Sequence, residues 1–588
     1  MKSKKSDSKI DNIRHSLAHL LAMAVLEMDN KTKLAIGPTI ENGFYYDFQF
    51  SDGFKLTKED LPKLEKKIKH YIKQNIEFKH FEMSSYDARE KFKNEPYKLE
   101  LIDKIIECGE KLSFYQSGDF IDLCAGEHIT STKEIDQNAF KLTSIAGAYW
   151  RGDEKNKMLT RIYGVAFENK AKLDEYMKMQ EEAEKRDHRK LGKELELFTF
   201  SDEVGAGLPL WLPKGTIIRN ELEKWAKETE KKFGYQHIVT PHITKKKLYE
   251  ISGHLPYFKE DLYSPIDIEG EEYYLKPMNC PHTHMIYKSK TRSYRELPLR
   301  FAEYGSVYRF ERSGTLHGLM RTRGFCQNDA HIYVQPEKTV EEFINVLKMH
   351  KYYYDILGIK DWRITLGVRN KENINDKYHG DNEMWEKAEE LTKLALDKSE
   401  IKYVIEEGGA AHYGPKADIV IKSAIGKEYA IGTDQLDLYM PKRFNLIYID
   451  KDGKEKMPYI IHRAPLGSHE RMVGFLIEHF AGAFPLWLSP VQVKILPIAD
   501  AHKDYAKEIF EKLEENNIRA ELNDENETLS KKIRQGKIEK VPYMLIIGDK
   551  EIAEKKITVE SRDKKDFGSQ NIETFIEKLK KDIANRTL

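Results

Sequence analysis

Apolar positions along the chain repeat with two periods. Helical spacing runs from Ile13 to Met28, and again after Thr57-Lys58-Glu59-Asp60, where Leu61, Leu64, Ile68 and Tyr71 share one face. A threonine with an acid three residues on predicts a capped start for that second helix. GAYWRGDEKNKMLTRIYGVAF reads instead as strand, charged turn, strand. From Asn169 to Glu196 the pattern is charged and helical, and it contains KRDHRK, Lys185 to Lys190. Beyond it, strand-like runs such as ADIVIKSAI and KEYAIGTDQLDLY alternate with helices such as TVEEFINVLKMHKYYYDIL. In the tail, the strands VQVKILPIA, IRAELN, YMLIIG and KITVESR alternate with the helices HKDYAKEIFEKLEENN, LSKKIRQGKIEK and NIETFIEKLKKDI. That alternation predicts a small α/β domain with a largely parallel sheet.

These shifts divide the chain into residues 1–165, a helical linker at 166–196, a large region at 197–488, and a tail at 489–588. The expected class is multidomain α+β. A chain of 588 residues has room for several domains, at about 100–200 residues each. No internal repeat is evident.

Composition adds limits. Lysine plus arginine and aspartate plus glutamate both number 97, so the net charge is zero. The strong positive charge of many nucleic-acid proteins is missing, although a large enzyme can hold a basic patch on one face and balance it elsewhere. Cys108, Cys124, Cys280 and Cys326 are few and far apart, which argues against a disulfide framework and for a reducing cytoplasm. The start, MKSKKSDSKIDNIRHS, is charged and has no long apolar run after it, so no signal peptide is expected. No run of about 20 apolar residues predicts a membrane span.

Several constellations carry chemistry. In RFAEYGSVYRFERSG and GLMRTRGFCQNDAHIY, Arg309 and Arg321 flank a loop between two expected strands. Glu311 is two residues after Arg309, on the same face of an extended strand. Arginine's planar fork suits phosphate and carboxylate and stacks on aromatic rings. The segment reads equally well as a surface hairpin with ion pairs. In HRAPLGSHERMVGFLIEHF, Gly467 and Ser468 precede an apolar helix bearing Arg471. That is either an anion site at a helix N-terminus or an ordinary cap. His15 and His19 are i, i+4, as are Cys124 and His128. They form one metal-type cluster or two unconnected pairs. KRDHRK is either a solvated linker surface or a basic surface touching RNA phosphates.

The two arginine segments resemble motifs 2 and 3 of the class II aminoacyl-tRNA synthetases. KPMNCP, HGLMRTRGF, DAHIY, YGPK and HRAPLGS are similar, in order, to blocks of the threonyl-tRNA synthetase family. GFYYDF, GAYWRGD, KRDHRKLGK and VPYMLIIGDKE match as well. The resemblance runs from about residue 13 to the end. It implies an editing domain of mixed α/β structure at 1–165, a class II catalytic domain built on an antiparallel sheet at 197–488, and an anticodon-binding domain at 489–588.

The implied reaction activates L-threonine with ATP and transfers it to tRNA(Thr). The resemblance makes Cys280, His331 and His462 ligands of one Zn²⁺ per subunit, although their spacing alone reads as no zinc finger and Cys280 alone reads as a core thiol. It puts Arg309 on the α-phosphate and the threonine carboxylate, Arg471 on the γ-phosphate, and Glu311 and Arg321 around adenine and phosphates, with Mg²⁺ bridging the phosphates. Gln327, Asp329, Tyr413 and Gln435 line the threonine and adenylate pocket, and His254 takes part in transfer.

A site that holds a hydroxyl rejects valine by about 10⁴–10⁵, whereas one missing methyl, as in serine, is worth only about 1–3 kcal/mol. A second, hydrolytic site for seryl-tRNA(Thr) is therefore required. HSLAH with DLCAGEH resembles the editing domain shared by threonyl- and alanyl-tRNA synthetases, and implies His15, His19, Tyr45, Lys98, Asp122, Cys124 and His128 as its apparatus. The sequence leaves open whether a metal binds there. Asn526 and Glu551 match anticodon-reading positions, and motif 1 around HIVTPHI implies a homodimer.

The chain departs from the family in four places. The family's small ubiquitin-like domain is expected to be missing, since the resemblance begins near Ile13. Pro281-His282-Thr283 replaces Pro-Gly-His, and Ala430 replaces a glutamine. Glu560 stands near where the family carries an anticodon-reading arginine, so either Arg562 serves instead or that contact is absent.

Overall fold

The computed structural model describes residues 9–153, 155–257, 261–370, 378–423, 426–563 and 566–588. Residues 1–8 of the charged start lie outside these, as do Ala424 and Ile425 at the end of the expected strand ADIVIKSAI. Two compact units divide between Glu181 and Glu182.

In the first unit, α1 (Lys9–Leu26) is the helix expected near Ile13. It buries Leu17, Leu20, Leu21 and Val25 against β1 (Gly43–Gln49) and α2 (Leu61–Lys73). Asp60 Oδ2 accepts the Thr57 N–H at 3.1 Å, closing a short 3₁₀ turn that leads into α2. The charged turn joins β2 (Phe140–Tyr149) to β3 (Met158–Ala166), and β3 pairs with β1.

The second unit is built on an eight-stranded sheet. Its strands are β4 (Gln236–His237), β5 (Leu299–Tyr308), β6 (Gly324–Val334), β7 (Trp362–Val368), β8 (Tyr403–Glu407), β9 (Lys416–Lys422), β10 (Glu428–Asp437) and β11 (Tyr459–Ala464). They lie in the order β4-β5-β6-β11-β10-β9-β7-β8. The sheet is antiparallel except at its two edges. Alternate residues of the central strands, Ile332, Ile461, Leu436 and Ile419, enter a core with Val473 and Leu476 of α4 (His469–His479). The residues between them face the other way, as a period of two requires.

The tail alternates as read, but its sheet is only half parallel. The strand Val493–Pro497 runs parallel to both its neighbours, Ala520–Leu522 and Tyr543–Ile547. Ile557–Ser561 and Asp566–Gln570 then add antiparallel. The link from Ile547 to Ile557 holds only the short helix Asp549–Glu554, too little chain for a crossover that would keep the direction. Among the described residues no helix is long and apolar enough to cross a membrane.

Candidate functional site

Four side chains share one row across the sheet of the second unit. Lys416 pairs in register with Gln435, Gln435 with His462, and His462 with His331. Cys280 opens α3 (Cys280–Lys288) beside this row, and its Sγ lies within 4.8 Å of a ring nitrogen of His331 and of His462. All three are buried. His462 Nε2 is 2.9 Å from Asp437 Oδ2, which fixes the ring and leaves Nδ1 for a ligand. One thiol and two imidazoles suit zinc and leave a coordination position open. Burial pushes the Cys280 thiol pKa up and the His331 imidazole pKa down.

The three donors open into a cavity of about 600 Å³, which Arg309, Gln327, Asp329, Tyr413, Lys416 and Gln435 also line. Tyr413 donates its hydroxyl to Gln435. Asp329 accepts from Asn279 Nδ2 at 2.6 Å, and burial raises its carboxyl pKa. His254 is fully buried, with Nδ1 2.6 Å from Ser252 Oγ. Burial holds its pKa down at about 3, so the ring is neutral.

A second lobe of about 320 Å³ adjoins the first and contains Glu311, Arg321, Ala430 and Arg471. Arg309 donates through Nε to Pro277 O at 3.0 Å, with its guanidinium 5.2 Å from the Phe325 ring. Arg321 pairs with Glu311 at 2.9 Å. Glu311 is not on a strand face: β5 ends at Tyr308, and Glu311 N–H turns back to Arg309 O, so the chain has already left the sheet. Ser468 caps α4 by accepting Arg471 N–H at 3.1 Å. Gly467 must be glycine, since its φ is +58° and a Cβ would come within 2.1 Å of Ile431 O. Burial, then the Arg309 and Arg321 cations, press the Arg471 pKa below the usual guanidinium range. Glu311 and Asp418 offset these cations only in part, so a bound anion would relieve the remaining repulsion.

In the first unit α1 brings His15 and His19 against Cys124 and His128. Cys124 Sγ is 3.2 Å from both His15 Nε2 and His128 Nε2. His19 Nε2 is 3.8 Å from Asp122 Oδ2, and Lys98 pairs with Asp122. Burial drives all three imidazole pKa values down, His19 to about 3, and drives the Cys124 thiol up to about 12.

Tyr45 does not join this cluster. It lies under the Arg161 guanidinium, 3.8 Å from its ring centre, on the opposite face of β1. Its neighbour Tyr46 is the inward residue: it donates to Asp122 Oδ2 at 2.6 Å and accepts from Lys98 Nζ at 3.1 Å. One step along a strand reverses the face.

In the tail Asn526 is exposed in a loop. Glu551 is buried as a cap, accepting Gly548 N–H at 2.9 Å and Thr558 Oγ1 at 2.7 Å. Glu560 pairs with Lys537 at 2.8 Å. Arg562, the candidate to serve there instead, spends Nη1 on the Phe484 and Lys540 carbonyls at 3.0 and 2.8 Å. KRDHRK divides its duties: His188 and Arg186 pack against the end of α4, while Lys185 and Lys190 line a groove with Arg534, Lys537 and Lys540. Sequence reasoning passed over Lys416, Asp437 and Asn279, although they sit in the quoted blocks YGPK, GTDQLD and KPMNCP.

Three family models match the chain. The tRNA synthetase class II core domain (G, H, P, S and T) matches residues 262–480, and an anticodon binding domain matches 492–582. The threonyl and alanyl tRNA synthetase second additional domain matches 112–163. The threonine–tRNA ligase of Sulfurihydrogenibium sp. is 47% identical over 588 residues, covering 99% of this chain and 90% of its own. That of Thermotoga petrophila is 47% identical over 577 residues, covering 98% and 88%. Of the solved structures, the RNA binding domain of threonyl-tRNA synthetase from Cryptosporidium parvum superposes with a TM-score of 0.64 at 37% identity, covering 67% of this chain and 98% of its own. A putative threonyl-tRNA synthetase from Aeropyrum pernix superposes with a TM-score of 0.60 at 30% identity, covering 68% and 97%.

Proposed function

Since the chain belongs to the threonine–tRNA ligase family, we infer that it charges tRNA(Thr) with threonine at the expense of ATP and hydrolyses mischarged seryl-tRNA(Thr). The observation that best supports the residue assignment is the row Lys416, Gln435, His462 and His331 beside Cys280, which opens directly onto the arginine-lined lobe.

Cys280, His331 and His462 would hold zinc, which supplies a Lewis-acid position that an amino alcohol can chelate. Asp437 keeps His462 turned toward it. Tyr413, Gln435, Gln327 and Asp329 bound the amino-acid end of the cavity. Arg309 lines both lobes, so it faces the threonine carboxylate and the α-phosphate it attacks. Arg471 and Arg321, with Glu311, take the rest of ATP, and Mg²⁺ accompanies the phosphates. The displacement is in-line, so placement and charge carry the rate. His254, neutral and buried, is a candidate to orient the tRNA ribose hydroxyl during transfer.

In the first unit the neutral His15, His19 and His128 can accept hydrogen bonds and so orient water beside the ester. The Cys124 thiol, pushed up to about 12, stays protonated and is a poor nucleophile, which favours direct hydrolysis over a thioester route. Lys98, Asp122 and Tyr46 orient the substrate. In the tail Asn526 reads the anticodon, and Glu551 shapes the helix start at Gly548. The working enzyme is a cytoplasmic homodimer in this reading. Threonine-dependent ATP–pyrophosphate exchange, with serine and valine as competitors, tests the assignment: exchange with threonine, weaker exchange with serine and none with valine are expected. No exchange with threonine would refute it.

A further inference from the structure

Arg471 rests on two backbone carbonyls. Its Nε donates to Met320 O at 3.2 Å and its Nη1 to Ala430 O at 3.1 Å. Neutral acceptors hold the guanidinium without consuming its charge, which stays available to a phosphate.

Both carbonyls are held from behind by one pair of side chains. His188 is fully buried and accepts Leu319 N–H through Nε2 at 3.1 Å. Its proton therefore sits on Nδ1, which donates to Glu478 Oε1 at 2.8 Å. The other carboxylate oxygen, Oε2, accepts the Tyr429 hydroxyl at 2.9 Å. Leu319 immediately precedes Met320, and Tyr429 immediately precedes Ala430. The first arm is tight: Gly318 has φ +49°, and a Cβ there would come within 2.3 Å of His188 Nε2. Arg186 Nη1 donates to His479 O at 3.2 Å, fixing the end of α4 where Glu478 sits.

We propose that His188 and Glu478 are positioning residues for Arg471, acting through Leu319 on one side and Tyr429 on the other. His188 belongs to KRDHRK in the linker, so a linker residue sets the geometry of the arm that holds ATP. The inference rests on the reading of Arg471 as a phosphate ligand. An arginine held at two carbonyls is already in its bound rotamer, so a shift of either carbonyl shows as weaker ATP binding.

The test is threonine-dependent exchange by the full chain, with ATP and threonine varied separately. His188→Ala is expected to raise the KM for ATP roughly tenfold, and Tyr429→Phe to raise it severalfold. The KM for threonine and the zinc content should stay unchanged. His188→Gln, whose amide can both accept and donate, should recover most of the loss. In an Arg471→Ala background, Tyr429→Phe should have no further effect on ATP, because its route is already cut. If His188→Ala does not fold, Tyr429→Phe decides alone. A folded Tyr429→Phe with an unaltered KM for ATP, a parallel rise in the KM for threonine, or an additive double variant would overturn the proposal. Absence of exchange in the unaltered chain would refute the site assignment itself.

Discussion

His331 and His462 stand directly opposite each other on adjacent antiparallel strands, their rings perpendicular and 4.8 Å apart. Two imidazoles brought so close inside the fold, with a thiol beside them, make a preformed pocket for a soft divalent ion. Purified protein is expected to carry one zinc per chain, lost in Cys280→Ser. Asp437→Asn should leave the zinc ligands intact but weaken zinc about 10–100-fold, because His462 loses the carboxylate that orients it. Metal titration against a competing chelator reads both effects, and stoichiometric zinc in Cys280→Ser would reject the site.

Tyr46, not Tyr45, completes the buried Lys98–Asp122 pair. Tyr46→Phe removes a hydrogen bond to a charged group, worth about 1.5–3 kcal/mol. Seryl-tRNA(Thr) deacylation should therefore slow about ten- to a hundredfold, with threonine charging unaltered. Tyr45→Phe should leave deacylation as it was. Equal loss in the two variants would mean that the strand face does not decide the role.

That pair also shows what a sequence can and cannot disclose. Period and turn chemistry located α1, α2 and the β2–β3 hairpin, because each is set by residues close in the chain. Adjacent tyrosines in GFYYDF differ only in which face of a strand they occupy, and face is fixed by packing against α1 and Lys98, far away in sequence. Glu311 departs from its expected strand face for the converse reason: the strand ends at Tyr308, where a turn bonded to Arg309 takes over. Glu551 and Arg562 are expected, by resemblance, at or near anticodon-reading positions, yet their charged groups are already occupied by a cap and by backbone carbonyls. Sequence position carries no information about such internal partners. The candidate zinc donors are nameable only by resemblance, since Cys280 and His462 stand 182 positions apart.

A groove lined by Lys185, Lys190, Arg534, Lys537 and Lys540 has one carboxylate, Glu194, among its lining residues. Zero net charge for the whole chain conceals this local excess. If the groove follows an RNA backbone, joint replacement of Lys190, Arg534 and Lys540 by alanine should weaken tRNA(Thr) binding and lower the slope of log affinity against log salt by about one per lost phosphate contact. Pyrophosphate exchange should be untouched. An unaltered salt slope would exclude the groove from the tRNA path.

Acid should loosen the first unit around α1. Burial, foremost, holds His19 down to about 3 from an ordinary value near 6.5, and it lowers His15 and His128 as well. The folded unit thus binds fewer protons than the unfolded chain. Stability from this source is fully present above pH 6.5 and is lost as pH falls toward about 3 for His19. Each such histidine contributes at most about 1.4 kcal/mol per pH unit within that window. Asp122 opposes the shift, while His15 and Lys98 reinforce it, so the net direction follows from desolvation. Hydrogen exchange in metal-free buffer, read at peptides from α1, should show protection falling steadily below pH 6.5. His19→Gln cannot titrate, so it should flatten that dependence even if it lowers protection at neutral pH. A wild-type slope in His19→Gln would assign the acid sensitivity to other groups.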